Sequence, residues 1–390
     1  MRILIVNRIN NRSVGTIAKK IGSLAEERLN AEIFYFWGEF DGSFLHSNEF
    51  IVKRKNRTLI NRIRLVDLWY KKRTGSKQLI NCIRKLNPSL IHLHCIHGGF
   101  FDFKILFKFL VKKQIPIIIT AHDCWYVTGG CSHFISNKCE KWKNGSNCKG
   151  CLKNRFFHKF FLEKKKLLPL ANIKAIVCCS YFVEKVYKES ILCSKNIITI
   201  HNGVNLQIFN NIKNDLDINV FKKYRIPFSN NYLIFVSAFW HITKGSEYVS
   251  QLSIDLENEY NVLIIGKGFD KPVGISTFII NSIDNQKELS TLYRYSLLFV
   301  NPTLEDNYPT TTLEATSSGV KTVVFDVGGC KEAIYEENGV LVSDTSYLSI
   351  LQSIREMLLT NTDSSAVRKV ALDNFDDKIC YKEYIDLYGR

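Results

Sequence analysis

Leu298-Phe-Val-Asn-Pro-Thr-Leu-Glu-Asp-Asn-Tyr-Pro-Thr-Thr-Thr-Leu-Glu-Ala315 reads as a strand, a loop and a helix in immediate succession. Residues 298–301 form a short apolar run closed by Pro302, the pattern of a buried strand. Pro309 suits the first position of a helix over 309–318, where its missing N–H costs nothing. The amides of Thr310, Thr311 and Thr312 would then open on an anion site. Asp306 lies on the loop, and Glu314 lies about one turn into the helix, placed to accept hydrogen bonds from vicinal hydroxyls. A ligand that carries a phosphate next to a sugar needs those groups together.

Outward from this stretch, strands and helices alternate along the whole chain. Apolar runs at 3–6, 33–36, 90–93, 117–120, 175–178 and 197–200 read as buried parallel strands, separated by helices at 16–29, 76–86, 103–113 and 181–189. A second series of strands follows at 232–237, 262–265, 278–280, 298–301, 322–325 and 340–342, with helices at 245–259, 286–295, 309–318 and 346–359. The expected fold class is α/β: two doubly wound domains, 1–205 and 206–372, with a helix near 373–390 rejoining the first. The joint between the two series is polar, near 202–223. In such sheets ligands bind beyond the carboxyl ends of the strands, so chemistry-bearing residues should collect there.

They do. Gly15 and Thr16 follow the first strand, and a glycine opening a helix allows close approach of backbone to a phosphate. His122, Asp123 and Trp125 follow the fourth strand, and Asn202-Gly-Val-Asn205 the sixth. Lys244-Gly245 follows the first strand of the second series and can set an ammonium on a diphosphate. Gly328-Gly329 and Glu332 follow the run at 322–325 and can present amides to a ligand. Each has an ordinary structural explanation alone; their common placement makes them a candidate site.

The chain of 390 residues is too long for one core, and 46% hydrophobic with 23% charged residues is an ordinary globular balance. No run of about 18 apolar residues exists, and the opening Met1-Arg-Ile-Leu-Ile-Val-Asn7 is too short for a signal-peptide core. A cytoplasmic protein is expected, peripheral at the inner face of the plasma membrane, with its 12 cysteines as thiols or metal ligands. The net charge of +16 gathers in the first half, where Lys164, Lys165 and Lys166 interleave with Phe156, Phe157, Phe160, Phe161 and Leu162. That mixture suits an anionic membrane surface. A solvated basic face with its aromatics turned inward is the plain alternative. Nucleic acid is set aside, because no binding module accompanies the charge.

Taken together, Ile91-His-Leu-His94, His97-Gly98, Thr120-Ala-His-Asp-Cys-Trp125, Asn202-Gly203, Lys244-Gly245, Asp306-Asn-Tyr-Pro309, Leu313-Glu-Ala315 and Gly328-Gly329 resemble glycosyltransferase family 4, in its bacterial capsule, O-antigen and colanic-acid branch. The resemblance runs over nearly the whole chain. It implies a GT-B fold, with two Rossmann-like domains facing a central cleft. It also implies metal-independent hexosyl transfer with retention of configuration, from a UDP- or GDP-hexose to a lipid-linked saccharide. By the same resemblance Glu314 holds the ribose, Lys244 and Gly15 the diphosphate, and His122 the donor sugar. Asn307, Tyr308 and Pro309 match the loop that contacts sugar hydroxyls, and Asp306 would orient that sugar.

Three departures accompany the likeness. Asp306 stands where the family has glutamate, although Glu305 is adjacent; 238–243 lacks the arginine that usually precedes the diphosphate lysine; and Asn205 replaces an aspartate. The alternative reading is a non-catalytic relative that binds a nucleotide sugar or a partner enzyme. No catalytic cofactor is expected. Cys131, Cys139, Cys148 and Cys151 could hold a structural zinc, and about one equivalent of zinc in the purified protein is the expected result of metal analysis; a metal-free preparation would remove that reading.

Overall fold

The computed structural model describes residues 1–42, 45–53, 64–136, 139–144, 154–229, 231–361 and 363–389. The chain divides into two units: Met1–His133, Cys139–His201 and Tyr381–Arg390 form the first, Phe134–Lys138 and Asn202–Cys380 the second. The chain leaves the first unit at His201 and returns at Tyr381, against expected positions of 205 and about 373. Backbone pairing explains both offsets. The Val204 amide donates to the Phe375 carbonyl at 2.8 Å and the Asp377 amide to the Val204 carbonyl at 3.1 Å, tying both stretches into the second unit.

Among the described residues the first unit carries β1 (Arg2–Ile9), β2 (Glu32–Glu39), β3 (Glu49–Ile51), β4 (Leu90–Leu93), β5 (Ile117–Ala121), β6 (Ile173–Cys178) and β7 (Ile197–Thr199). All pair in parallel, in the order β3-β2-β1-β4-β5-β6-β7. The second carries β8 (Tyr232–Phe239), β9 (Asn261–Lys267), β10 (Thr277–Ile280), β11 (Ser296–Asn301), β12 (Lys321–Phe325) and β13 (Gly339–Val342), also parallel, in the order β10-β9-β8-β11-β12-β13. Strands such as β4 and β5 are buried along their whole length, as helices on both faces require. Each sheet reverses its winding once, between β1 and β4 and between β8 and β11. Those are the points where open α/β sheets bind ligands.

Besides the helix Arg64–Leu86, which opens 12 residues before the expected 76, two helix starts differ in ways that touch the candidate site. The first helix spans Arg12–Leu29, four residues longer at its beginning. Arg12 takes a left-handed φ of 60°, and Asn11 makes no side-chain cap, giving its amide to Asp41 instead at 2.9 Å. Gly15 is therefore inside the helix and buried, and a Cβ there would lie 2.6 Å from the Asn10 carbonyl carbon. Its lack of a side chain lets the helix pack on the loop before it; Thr16 beside it is exposed. The second case is the helix Thr310–Ser317, where Pro309 stands at the N-cap with ψ 113° and not at the first helical position. Its carbonyl takes the Thr312 amide at 3.2 Å, which removes Thr312 from the expected anion-facing turn. Helices Asn154–Leu167, Ile218–Tyr224 and Ser364–Asn374 lie where the sequence pattern marked none.

Candidate active site

In the second unit the loop after β8 is built to deliver Lys244. The Trp240 indole donates to the Ile265 carbonyl at 3.1 Å and the Trp240 amide to the Lys267 carbonyl at 2.7 Å, fixing the loop to β9. A short 3₁₀ turn, Ile242–Lys244, ends at Gly245 with φ 78°. A Cβ at Gly245 would lie 2.2 Å from the Pro302 carbonyl oxygen, so only glycine lets this loop rest on the one after β11. The Leu304 amide then reaches the Thr243 carbonyl at 2.8 Å. These contacts bring Lys244 Nζ to 2.6 Å from Asp306 Oδ2 and 3.0 Å from the Glu305 carbonyl. The pair sits at the winding reversal of its sheet.

The two adjacent acids have separate tasks. Glu305 is buried, and its Oε1 accepts the Ser136 amide at 2.8 Å. Asp306 faces Lys244 and takes the Tyr308 amide on Oδ1 at 3.2 Å. The shorter side chain is thus the one at the lysine. Asn307, Tyr308 and Pro309 are buried, while Thr310 and Thr311 are half-buried. Gly328 and Gly329 differ from expectation, because they serve the loop itself. The Gly329 amide donates to the Asp306 carbonyl at 3.2 Å, and a Cβ at Gly328 would lie 2.1 Å from that oxygen.

Glu314, in the second turn of its helix, is half-buried, and its Oε2 accepts the Tyr293 hydroxyl at 3.4 Å. Burial pushes its carboxyl up to about 8, against which the Tyr293 hydrogen bond works only weakly. Burial thus biases Glu314 toward its protonated form.

In the first unit β5 ends at Ala121, and His122 follows. Its Nε2 lies 2.9 Å from Nδ1 of His94, with the two rings stacked at 5.2 Å. Burial holds the His122 ring down to about 4, hence neutral; Asp123 opposes that shift and His97 adds to it. Asp123 Oδ2 pairs with His97 Nε2 at 2.8 Å while Oδ1 takes the Trp125 amide at 2.8 Å. Burial disfavours the Asp123 carboxylate, but these partners outweigh it and hold the group below the usual range. Cys95, His97 and Asp123 place donor atoms within 4.8 Å of one another. The close His97–Asp123 bond and a Cys95 thiol pushed well up by burial fit a hydrogen-bonded dyad better than metal ligation. A cavity of about 400 Å³ beside them is lined by Arg8, Arg12, Glu39, Asp41, Cys95 and His97.

Lys164 corrects an expectation. It is fully buried, not part of a basic surface, and its ammonium donates to the carbonyls of Trp125 and Thr128 with the Trp125 ring 3.7 Å away. Lys165, Lys166 and Leu162 of the same helix are exposed. Cys131 and Cys139 are half-buried thiols; Cys148 and Cys151 lie outside the described residues, as do Phe156 and Phe157 among the side chains.

Two family models match the chain: Glycosyltransferase Family 4 over residues 28–208 and Glycosyl transferases group 1 over residues 230–360. The chain carries a Glycosyltransferase Family 4 domain followed by a Glycosyl transferases group 1 domain. A curated relative from Campylobacter jejuni, N,N'-diacetylbacillosaminyl-diphospho-undecaprenol alpha-1,3-N-acetylgalactosaminyltransferase, is 26% identical over 167 residues, 40% of this chain and 44% of that protein. The aligned part spans less than half of each curated relative matched. Solved structures share the GT-B fold over nearly their whole length. Sucrose-phosphate synthase of Thermosynechococcus elongatus has a TM-score of 0.72 at 15% identity, covering 99% of this chain and 98% of its own. Anabaena HepE, solved in complex with UDP and glucose, has a TM-score of 0.65 at 12% identity, covering 100% of this chain and 99% of its own.

Proposed function

We propose that this chain is a retaining hexosyltransferase, moving a sugar from a UDP- or GDP-linked donor onto a lipid-linked saccharide of a growing surface polysaccharide. The observation that carries the reading is the Lys244–Asp306 pair at the winding reversal of the second sheet, followed by Glu314 on the next helix. The Campylobacter relative is named for an acceptor on undecaprenol diphosphate, and the Anabaena protein was solved with UDP and glucose, which supports both substrate classes.

In this reading Glu314 holds the ribose hydroxyls, and Lys244 with the Thr310 and Thr311 turn faces the diphosphate. Breaking the anomeric bond builds negative charge on the departing phosphate and positive charge on the sugar. The ammonium stabilises the first, doing what a divalent metal does in other transferases. The leaving phosphate oxygen can itself accept the acceptor hydroxyl's proton, so no protein nucleophile is needed. Asp306 and the Asn307–Pro309 loop orient the sugar, with His122 a further hydrogen-bonding contact.

A panel of UDP- and GDP-sugars incubated without acceptor is the test. Slow release of free nucleotide from one member is expected, and absence of release from all of them would favour the non-catalytic relative.

No helix among the described residues is long and apolar enough to cross a membrane. We place the membrane contact on Lys165, Lys166 and the exposed Leu162, each nearby cation contributing about 1 kcal/mol on anionic lipid. Flotation with anionic vesicles should weaken in the Lys165→Gln, Lys166→Gln double variant; undiminished flotation would refute this contact.

A further inference from the structure

Behind His122 stands an imidazole that the family resemblance leaves without a task. His94 follows β4 and is wholly buried, with Nδ1 2.9 Å from Nε2 of His122. Its own Nε2 is buried with no hydrogen-bond partner. The His92 ring lies against it at 4.1 Å. His92 is pinned at both nitrogens, by the Tyr388 hydroxyl at 2.5 Å and the Thr120 hydroxyl at 2.7 Å, and Tyr384 joins Thr120 at 3.0 Å. Both tyrosines belong to the C-terminal helix Lys382–Gly389, so the end of the chain braces this stack within the first unit.

Two neutral imidazoles that face each other through Nδ1 and Nε2 share a single proton, so one ring donates and the other accepts. The unpartnered nitrogen decides which. If His122 donated from Nε2, His94 would carry its proton on its own Nε2, a buried N–H with nothing to receive it. Orphaned buried N–H groups are costly and rarer than under-used acceptors. If His94 donates from Nδ1, only a bare lone pair is left buried.

We propose that His94 is a positioning residue that donates from Nδ1 to His122 Nε2, fixing His122 as the Nδ1–H tautomer with its ring locked in the stack. The proton then sits on the edge of His122 turned away from His94. There it can be given to a hydroxyl of the transferred sugar, a clause that rests on the transferase reading; the tautomer itself does not.

Nitrogen NMR of histidine-labelled protein, with the resonance assigned by His122→Gln, should show His122 Nε2 unprotonated and Nδ1 protonated. His94→Leu keeps bulk but removes the donor. It should mix the tautomers and lower kcat about tenfold, the worth of one hydrogen bond, with the donor KM little changed. His94→Asn can set its amide near the lost Nδ1 and should restore both the tautomer and most of kcat. A protonated Nε2 on His122 in the parent protein overturns the proposal, and so does a folded His94→Leu with parental spectrum and kcat. If His94→Leu does not fold, the parent resonance and His94→Asn decide. If the tautomer is as stated but His122→Gln transfers at full rate, the assigned use of His122 fails and the positioning by His94 stands.

Discussion

Lys244→Met is expected to lower transfer by about 10²–10³-fold, the usual loss when one preorganised donor to a developing negative charge is removed. The fall should sit mainly in kcat, because the charge on the diphosphate grows as the sugar departs and the lysine acts most strongly there. Residues 238–243 supply no arginine to share the load; Phe239 at the end of β8 and Ile242 after it instead stand exposed. Stability should hardly change. The Lys244–Asp306 pair is 23% and 20% exposed, so its net worth is about 1 kcal/mol or less. Asp306 also keeps the Tyr308 amide as a partner in the variant. Lys244→Arg should recover only part of the rate, since a planar fork does not occupy the place of a compact ammonium. Steady-state kinetics on the donor found by hydrolysis, with a thermal melt as control, makes the check. A folded Lys244→Met with parental turnover would remove the lysine from the chemistry.

The parallel strands were legible because strands covered on both faces read as unbroken apolar runs, and runs such as 90–93 and 298–301 needed no tertiary information. The Lys244–Asp306 encounter was legible only as two motifs at strand ends. Which acid would meet the lysine was not, since the Ser136 amide that claims Glu305 lies far away in sequence. Helix starts escape the sequence where backbone does what the residue type does not announce: a left-handed arginine as first residue of the helix Arg12–Leu29, and a proline acting as N-cap at 309. The burial of Lys164 is hidden in the sequence for a related reason. A lysine among lysines looks solvated, and only the packed helix shows two carbonyls and an indole ring around its ammonium. The His92–His94 alternation was visible in sequence, but its braces, Tyr384 and Tyr388, come from the opposite end of the chain.

Glu314 carries the second large effect, and its sign follows from its environment. Its carboxyl titrates near 8 in the folded protein against 4.5 for the ordinary group, because burial penalises the charge. The folded state therefore holds a proton that the unfolded chain has released. Glu314's contribution to stability is fully present below pH 4.5 and is lost as pH rises through about 8. Glu314→Gln, which cannot ionise, should gain stability over the parent across that window, by an amount on the order of a few kcal/mol at alkaline pH. Binding should respond in the opposite sense. Vicinal hydroxyls donate most strongly to a carboxylate, so nucleotide affinity should rise with pH, by at most about tenfold per unit below the shifted pKa, with a proton released on binding. Calorimetry with UDP and GDP in buffers of different ionisation enthalpy, at pH 6 and pH 9, reads both the affinity and the proton. Glu314→Gln should bind weakly and show a flat pH response. Binding that is flat in the parent, or equally steep in the variant, would mean that the ribose does not rest on this carboxylate.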